Sequence, residues 1–100
     1  MEEIVLKGGA RYGLFNASWP FAKLVISQNN LKLKIPIFGE LNFSGEHINS
    51  IEKHNGLFSK GIIIKHNRAE YRKKVVFWTF ESPSEILKKS KEIGGFNVNL

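Results

Sequence analysis

One hundred residues, 42 % hydrophobic and 24 % charged, describe one folded domain with a single core and exclude a disordered chain. The acidic start Met1-Glu2-Glu3 is not what is expected of a signal peptide, and no apolar run approaches the roughly 18 residues of a membrane span. Zero cysteines exclude disulfides and thiolate metal sites and suit a cytoplasmic protein, while a net charge of +6 from 15 basic and 9 acidic residues favours anionic partners.

The first apolar piece, Ile4-Val5-Leu6, ends at Gly8-Gly9 and reads as an edge strand or a loosely held arm over residues 1–9. Arg11 to Trp19 reads as a strand, with Tyr12 and Leu14 on one side and Phe15, Ala17 and Trp19 on the other. Trp19-Pro20 then marks a bend, because proline restricts the residue before it and has no amide for a central ladder. Ala22, Leu24 and Ile26 alternate with Lys23 and Ser27 up to a turn at Gln28-Asn29-Asn30, where asparagine tolerates positive φ. Leu31-Lys32-Leu33-Lys34-Ile35-Pro36-Ile37 has a period of two. A helix would scatter these apolar residues around its surface, so the stretch is a half-buried strand, with Pro36 at an edge or at the end of pairing.

Phe38 to Phe43 supplies another short strand and Ser44-Gly45 a turn. Ile48 and Ile51, three apart, predict a strand with a bulge rather than a helical turn, because the hairpin pair Asn55-Gly56 follows directly. Gly61-Ile62-Ile63-Ile64-Lys65-His66 is apolar on both faces, as a central strand is, and a polar loop from Asn67 to Lys73 leads to a strand at Val75–Phe80. Ser82-Pro83-Ser84-Glu85 has the capping-box spacing with proline at the first helical position. Ile86, Leu87, Ser90 and Ile93 share one helical face, and Gly94-Gly95-Phe96 offers a left-handed stop with an aromatic ring to fold back. These signals predict a helix over 83–93. Strands and turns spaced about eight to twelve residues apart predict a mainly β, small α+β fold, a barrel or sandwich of antiparallel strands.

About seven antiparallel strands followed by one capped C-terminal helix resemble the pleckstrin-homology (PH) superfold, in its GRAM and bacterial PH-like branch. The likeness is carried by Trp19-Pro20-Phe21-Ala22-Lys23-Leu24 leading into Leu31-Lys32-Leu33, by Ile48 and Ile51, and by Phe58 with Gly61-Ile62-Ile63-Ile64-Lys65-His66. Val76-Phe77 and the helix closing at Gly95-Phe96 complete it. The resemblance implies two bent sheets forming a partly open barrel with the helix plugging one end. It also implies a non-catalytic adaptor that binds lipid head groups, peptides or copies of itself. A phosphoinositide site in that family needs basic residues around the loop joining the first two strands. Here Asn16-Ala17-Ser18-Trp19-Pro20 has only Lys23 nearby, a departure from the pattern.

The densest basic stretch runs from Lys65 to Lys74. Lys65, Arg68, Arg72, Lys73 and Lys74, with Tyr71 to dip into an interface, are the candidate contacts for an anionic membrane or nucleic acid. A solvated hairpin whose lysines guard strand edges is the plain alternative. Of the aromatic residues, Phe15, Phe21, Phe38, Phe43, Phe58, Phe77, Phe80 and Phe96 are assigned to the core, while Trp19 and Trp78 are candidate partner contacts. His47, His54 and His66 form no close ligand pair, and no serine has a nucleophile-elbow context, so no metal, cofactor or catalytic role is assigned. The sequence thus predicts a binding module that acts through a protein partner or self-association, with salt-sensitive polyanion binding as the rival.

Overall fold

The computed structural model describes residues 2–55 and 60–99. Gly56 of the predicted hairpin turn and Phe58 of the predicted core lie outside the described residues. One sheet contains β1 (Glu3–Tyr12), β2 (Phe15–Ser27), β3 (Asn30–Ile35), β4 (Gly39–Ser44), β5 (Ile48–Asn55), β6 (Lys60–His66), β7 (Val75–Trp78) and β8 (Val98–Asn99). Its spatial order is β4-β3-β2-β1-β7-β6-β5-β8, antiparallel throughout except for the parallel β5–β8 pair. The fold is therefore mainly β with a late helix, and has eight strands rather than about seven. The additional strand, β8, has only two residues, too few for any periodic pattern.

The largest departure from the sequence reading is at the start. Residues 3–12 form neither an arm nor an edge: β1 lies in the sheet interior between β2 and β7. Gly8-Gly9 resembles a chain break in sequence, yet both residues are strand positions whose neighbours need the missing side chains. A Cβ on Gly9 would come within 2.4 Å of the Trp78 indole, which covers that part of the strand.

Arg11 to Trp19 is likewise a hairpin and not one strand. Tyr12 pairs with Phe15 across the two-residue loop Gly13-Leu14. Gly13 takes φ +62°, which costs glycine no Cβ clash and lets the strands twist together. The predicted bend at Trp19-Pro20 lies within β2. Ala22 pairs with Gly8 and Ala17 with Ala10, so Ser18, Trp19, Pro20 and Phe21 stand opposite Gly9 alone. This long bulge carries its aromatic side chains away from the core.

The remaining strands follow their periodicity. Leu31, Leu33 and Ile35 of β3 face inward with Leu41 and Phe43 of β4. A register shift between Ile48 and Ser50 keeps both Ile48 and Ile51 buried despite their odd spacing. Leu24, Ile26, Ile62, Ile64, Val75 and Phe77 complete the inner face.

The helix α1 (Pro83–Lys89) begins with the Glu85 amide donating to Ser82 Oγ at 3.2 Å. The Glu85 carboxylate does not accept from the Ser82 amide in return, so half of the expected box forms. The helix continues as a π-turn over Ser90–Gly94 and stops at Gly95, whose φ is +71°. Ile86, Leu87 and Phe96 are buried against the strands, and buried Ser90 donates to the Ile86 carbonyl at 2.8 Å. Since α1 packs on β5 and β6 while the π-turn packs on β2, this segment spans the curl of the sheet and covers its apolar interior.

Candidate functional site

The 65–74 segment is bound into the fold by most of the residues that make it basic. Edge strand β4 turns the main-chain groups of Asn42 away from β3. The Asn42 amide donates to Tyr71 Oη at 3.0 Å, and Arg68 Nη1 donates to the Asn42 carbonyl at 2.8 Å. Arg68 also forms a bidentate pair with Glu70, with contacts of 3.1 and 2.9 Å, and lies over the Tyr71 ring. The Arg68 guanidinium holds the Glu70 carboxyl down to about 2.

Arg72 is engaged in the same way. Its guanidinium stacks over Phe38 and Tyr12 and donates to the Tyr12 carbonyl at 3.2 Å, while its amide donates to Tyr12 Oη at 3.1 Å. His66 fastens the loop between them. Its Nε2 donates to the Arg72 carbonyl at 2.9 Å and its Nδ1 accepts from the Arg68 amide at 3.1 Å, which selects the neutral Nε2–H tautomer. Lys65 pairs with Glu52 at 3.2 Å. The Glu52 carboxyl is lowered first by the Ser50 hydroxyl and then by Lys65. Lys73 and Lys74 are exposed and have no ion pair among the described residues. Of the six candidates here, these two lysines are the ones left for an anion.

The two tryptophans lie elsewhere, on the outer face of the sheet. Ala10, Phe77 and Ile62 point inward across β1, β7 and β6, so Gly9, Trp78 and Gly61 in the next row point outward. Glycine on both flanks lets the Trp78 side chain lie on backbone, half-buried. Two rings assigned to the core from sequence are exposed instead: Phe21, which precedes the inward Ala22 on β2, is 67 % exposed and Phe80 80 %. Trp19, 42 % exposed on the bulge, has its ring centroid 5.2 Å from that of Phe80, and Trp78 is 6.4 Å from Phe80.

A groove of about 500 Å³ runs along this cluster, lined by Lys60, Trp78, Thr79, Phe80, Glu81, Ser82 and Pro83. Sequence reasoning missed Phe80 because it treated aromatic content as core content. The signal was available in the parity of β7: an inward Phe77 places Trp78 and Phe80 on different sides only if the chain twists between them. Phe80 falls after β7 ends, in the bend before α1, and keeps the outward side that Trp78 takes two residues earlier. Phe21 stands one residue before the inward alternation of Ala22, Leu24 and Ile26, so its outward side was legible in that parity.

No group of three His, Cys, Asp or Glu among the described residues is placed to hold a metal ion. No described helix is long and apolar enough to cross a membrane. What the site offers chemically is apolar contact area with an uneven surface, bordered by ammonium groups. No protein-family model, curated protein or solved structure matches this chain.

Proposed function

We propose that this chain is a non-catalytic binding module of the PH-like superfold that acts through a protein contact at the Trp19, Phe21, Trp78 and Phe80 surface. The strand order, with one helical segment across the curl, supports the superfold reading. The observation that carries the function is the group of large rings left in solvent on one face. An ordinary monomer surface scatters such residues singly, whereas clustered aromatics mark contact sites. Strand edges are a poorer route to self-association, because Arg68 and Tyr71 occupy the outward groups of Asn42 and β8 covers Ile51 and Glu52 of β5.

Replacing Trp19 by Ala and Phe80 by Ser, singly and together, tests this. A hot-spot ring contributes about 2 kcal/mol or more to a contact, so each variant weakens partner capture roughly thirtyfold while leaving the melting temperature nearly unchanged. Sedimentation over a wide concentration range shows whether the partner is a second copy. Undiminished capture by the double variant removes the reading.

A second reading rests on a different surface. Leu14, 103 % exposed, and Ile37, 88 % exposed, stand on the β1–β2 and β3–β4 turns. Ile37 has φ +77°, an unfavourable conformation for a β-branched residue. Lys74 joins this end through its carbonyl, which accepts from the Gly13 amide at 2.9 Å. Two apolar tips and two lysines give a gross attraction to an anionic bilayer on the order of 5–8 kcal/mol, equivalent to sub-millimolar to micromolar binding. Co-sedimentation with phosphatidylserine vesicles, abolished by Leu14→Ser with Ile37→Ser, is the expected result for that reading.

A further inference from the structure

We infer that the partner segment is acidic as well as apolar, and that Lys7 and Lys23 recognise its carboxylates; this rests on the protein-contact reading above. Lys7 and Lys23 are direct cross-strand partners on the outer face of β1 and β2, and Lys34 of β3 continues the row. Like charges directly opposite one another in an antiparallel pair are destabilising. The far end of the row is compensated, since Glu40 meets Lys34 at 3.4 Å and Lys32 at 3.9 Å. Lys7 and Lys23 have no carboxylate partner among the described residues. The structure thus holds two exposed ammonium groups together and leaves them uncompensated.

These charges adjoin the aromatic surface. Lys7 is two residues before Gly9 on the same face of β1, and the Trp78 indole lies on Gly9. Thr79 Oγ1 donates to the Lys7 carbonyl at 2.8 Å, so the segment from Trp78 to Phe80 passes alongside. Lys60 borders the groove. Glu81, the carboxylate in its wall, is bound to Lys89 and does not offset these lysines. Two strand residues span about 7 Å, the same rise as two residues of an extended ligand. A partner strand with an apolar side chain in the groove therefore brings Asp or Glu two positions away towards Lys7 and Lys23.

A peptide fits better than either polyanion. The rings of Trp19, Trp78 and Phe80 meet at interplanar angles of 56° and 82°, giving clefts for side chains rather than parallel faces for stacked bases. The fully protruding apolar tips that suit a bilayer, Leu14 and Ile37, lie at the turns beyond Tyr12, about 17 Å along β1 from Lys7.

Random peptides displayed on phage and selected against the intact protein test the inference. The selected sequences are expected to pair Phe, Leu or Trp with Asp or Glu two or three positions away. Synthetic copies, measured by fluorescence anisotropy, should bind the Lys7→Glu, Lys23→Glu double variant about tenfold or more weakly. Exchanging the peptide's acidic residues for lysine should restore binding to that variant. Both positions are exposed, and unchanged thermal melting verifies that the variant is folded. Peptides that depend on Phe80 but not on the two lysines would overturn this inference and leave the protein-contact reading intact. Peptides indifferent to Phe80→Ser and Trp19→Ala, or no enrichment at all, would overturn both. Tighter Lys7- and Lys23-dependent binding of oligothymidylate or phosphatidylserine vesicles than of any selected peptide would assign the lysines to a phosphate ligand and overturn it too.

Discussion

At the scale of single residues, absent side chains matter as much as those present. The indole of Trp78 occupies the space that a Gly9 Cβ would fill, 2.4 Å away. Gly9→Ala therefore displaces the ring at a cost of about 1–3 kcal/mol, with a red shift in tryptophan emission as the indole loses its backbone support. An unchanged spectrum and melting curve would mean that the ring lies elsewhere. Glu70 is a second residue-scale case. Its folded pKa lies below the ordinary 4.5, pulled to about 2 chiefly by Arg68. A depressed carboxylate contributes stability that is complete above the unfolded value and lost as pH falls through the folded one. Glu70→Gln should thus melt lower than the parent at neutral pH, and the gap should close between about pH 4.5 and pH 2. Glu70 is exposed, so the difference is small. A gap that widened with acid would be inconsistent with the ion pair.

At the scale of elements, the segment between β6 and β7 completes the sheet. Its side chains bond the outward groups of Asn42 on β4, as a ninth strand would do there. Tyr71→Phe keeps the ring packed on Phe43, with centroids 5.3 Å apart, but removes the acceptor for the Asn42 amide. The expected loss is about 1 kcal/mol, accompanied by faster hydrogen exchange at Asn42. An unchanged exchange rate at that amide would show that the edge is protected by something else. A basic composition in this segment is therefore explained largely by folding. Arginine suits the task because its planar fork can donate to a main-chain carbonyl, pair with a carboxylate and stack on a ring at once.

At the scale of the whole molecule, two phenylalanines three residues apart have opposite expected behaviour. Phe77 is fully buried where β1, β6 and β7 meet, while Phe80 is mostly exposed. Phe77→Ala should cost about 3–5 kcal/mol, a large part of the total stability of a domain this small. Phe80→Ser should change stability by about 0.5 kcal/mol or less and act on partner binding instead. Chemical denaturation of both variants separates packing from contact. Comparable losses in the two would place Phe80 in the core and remove the basis of the proposed surface.

The chain by itself determined what depends on near neighbours. The period-two runs of β3 and the continuous apolar run of β6 identify strands, and Ser82-Pro83 with Gly95 bound the helical segment, because alternation and capping are satisfied within a few residues. Tertiary structure decided what depends on distant partners. β1 lies inside the sheet because β7, more than sixty residues later, pairs with it. Arg68 meets an acceptor 26 positions away and Arg72 one 60 positions away, so neither engagement is written in the local pattern. The same holds for the outer aromatic surface. A bulge in β2, two facing glycines and the bend after β7 bring its rings together, and only the pairing of remote strands sets that register.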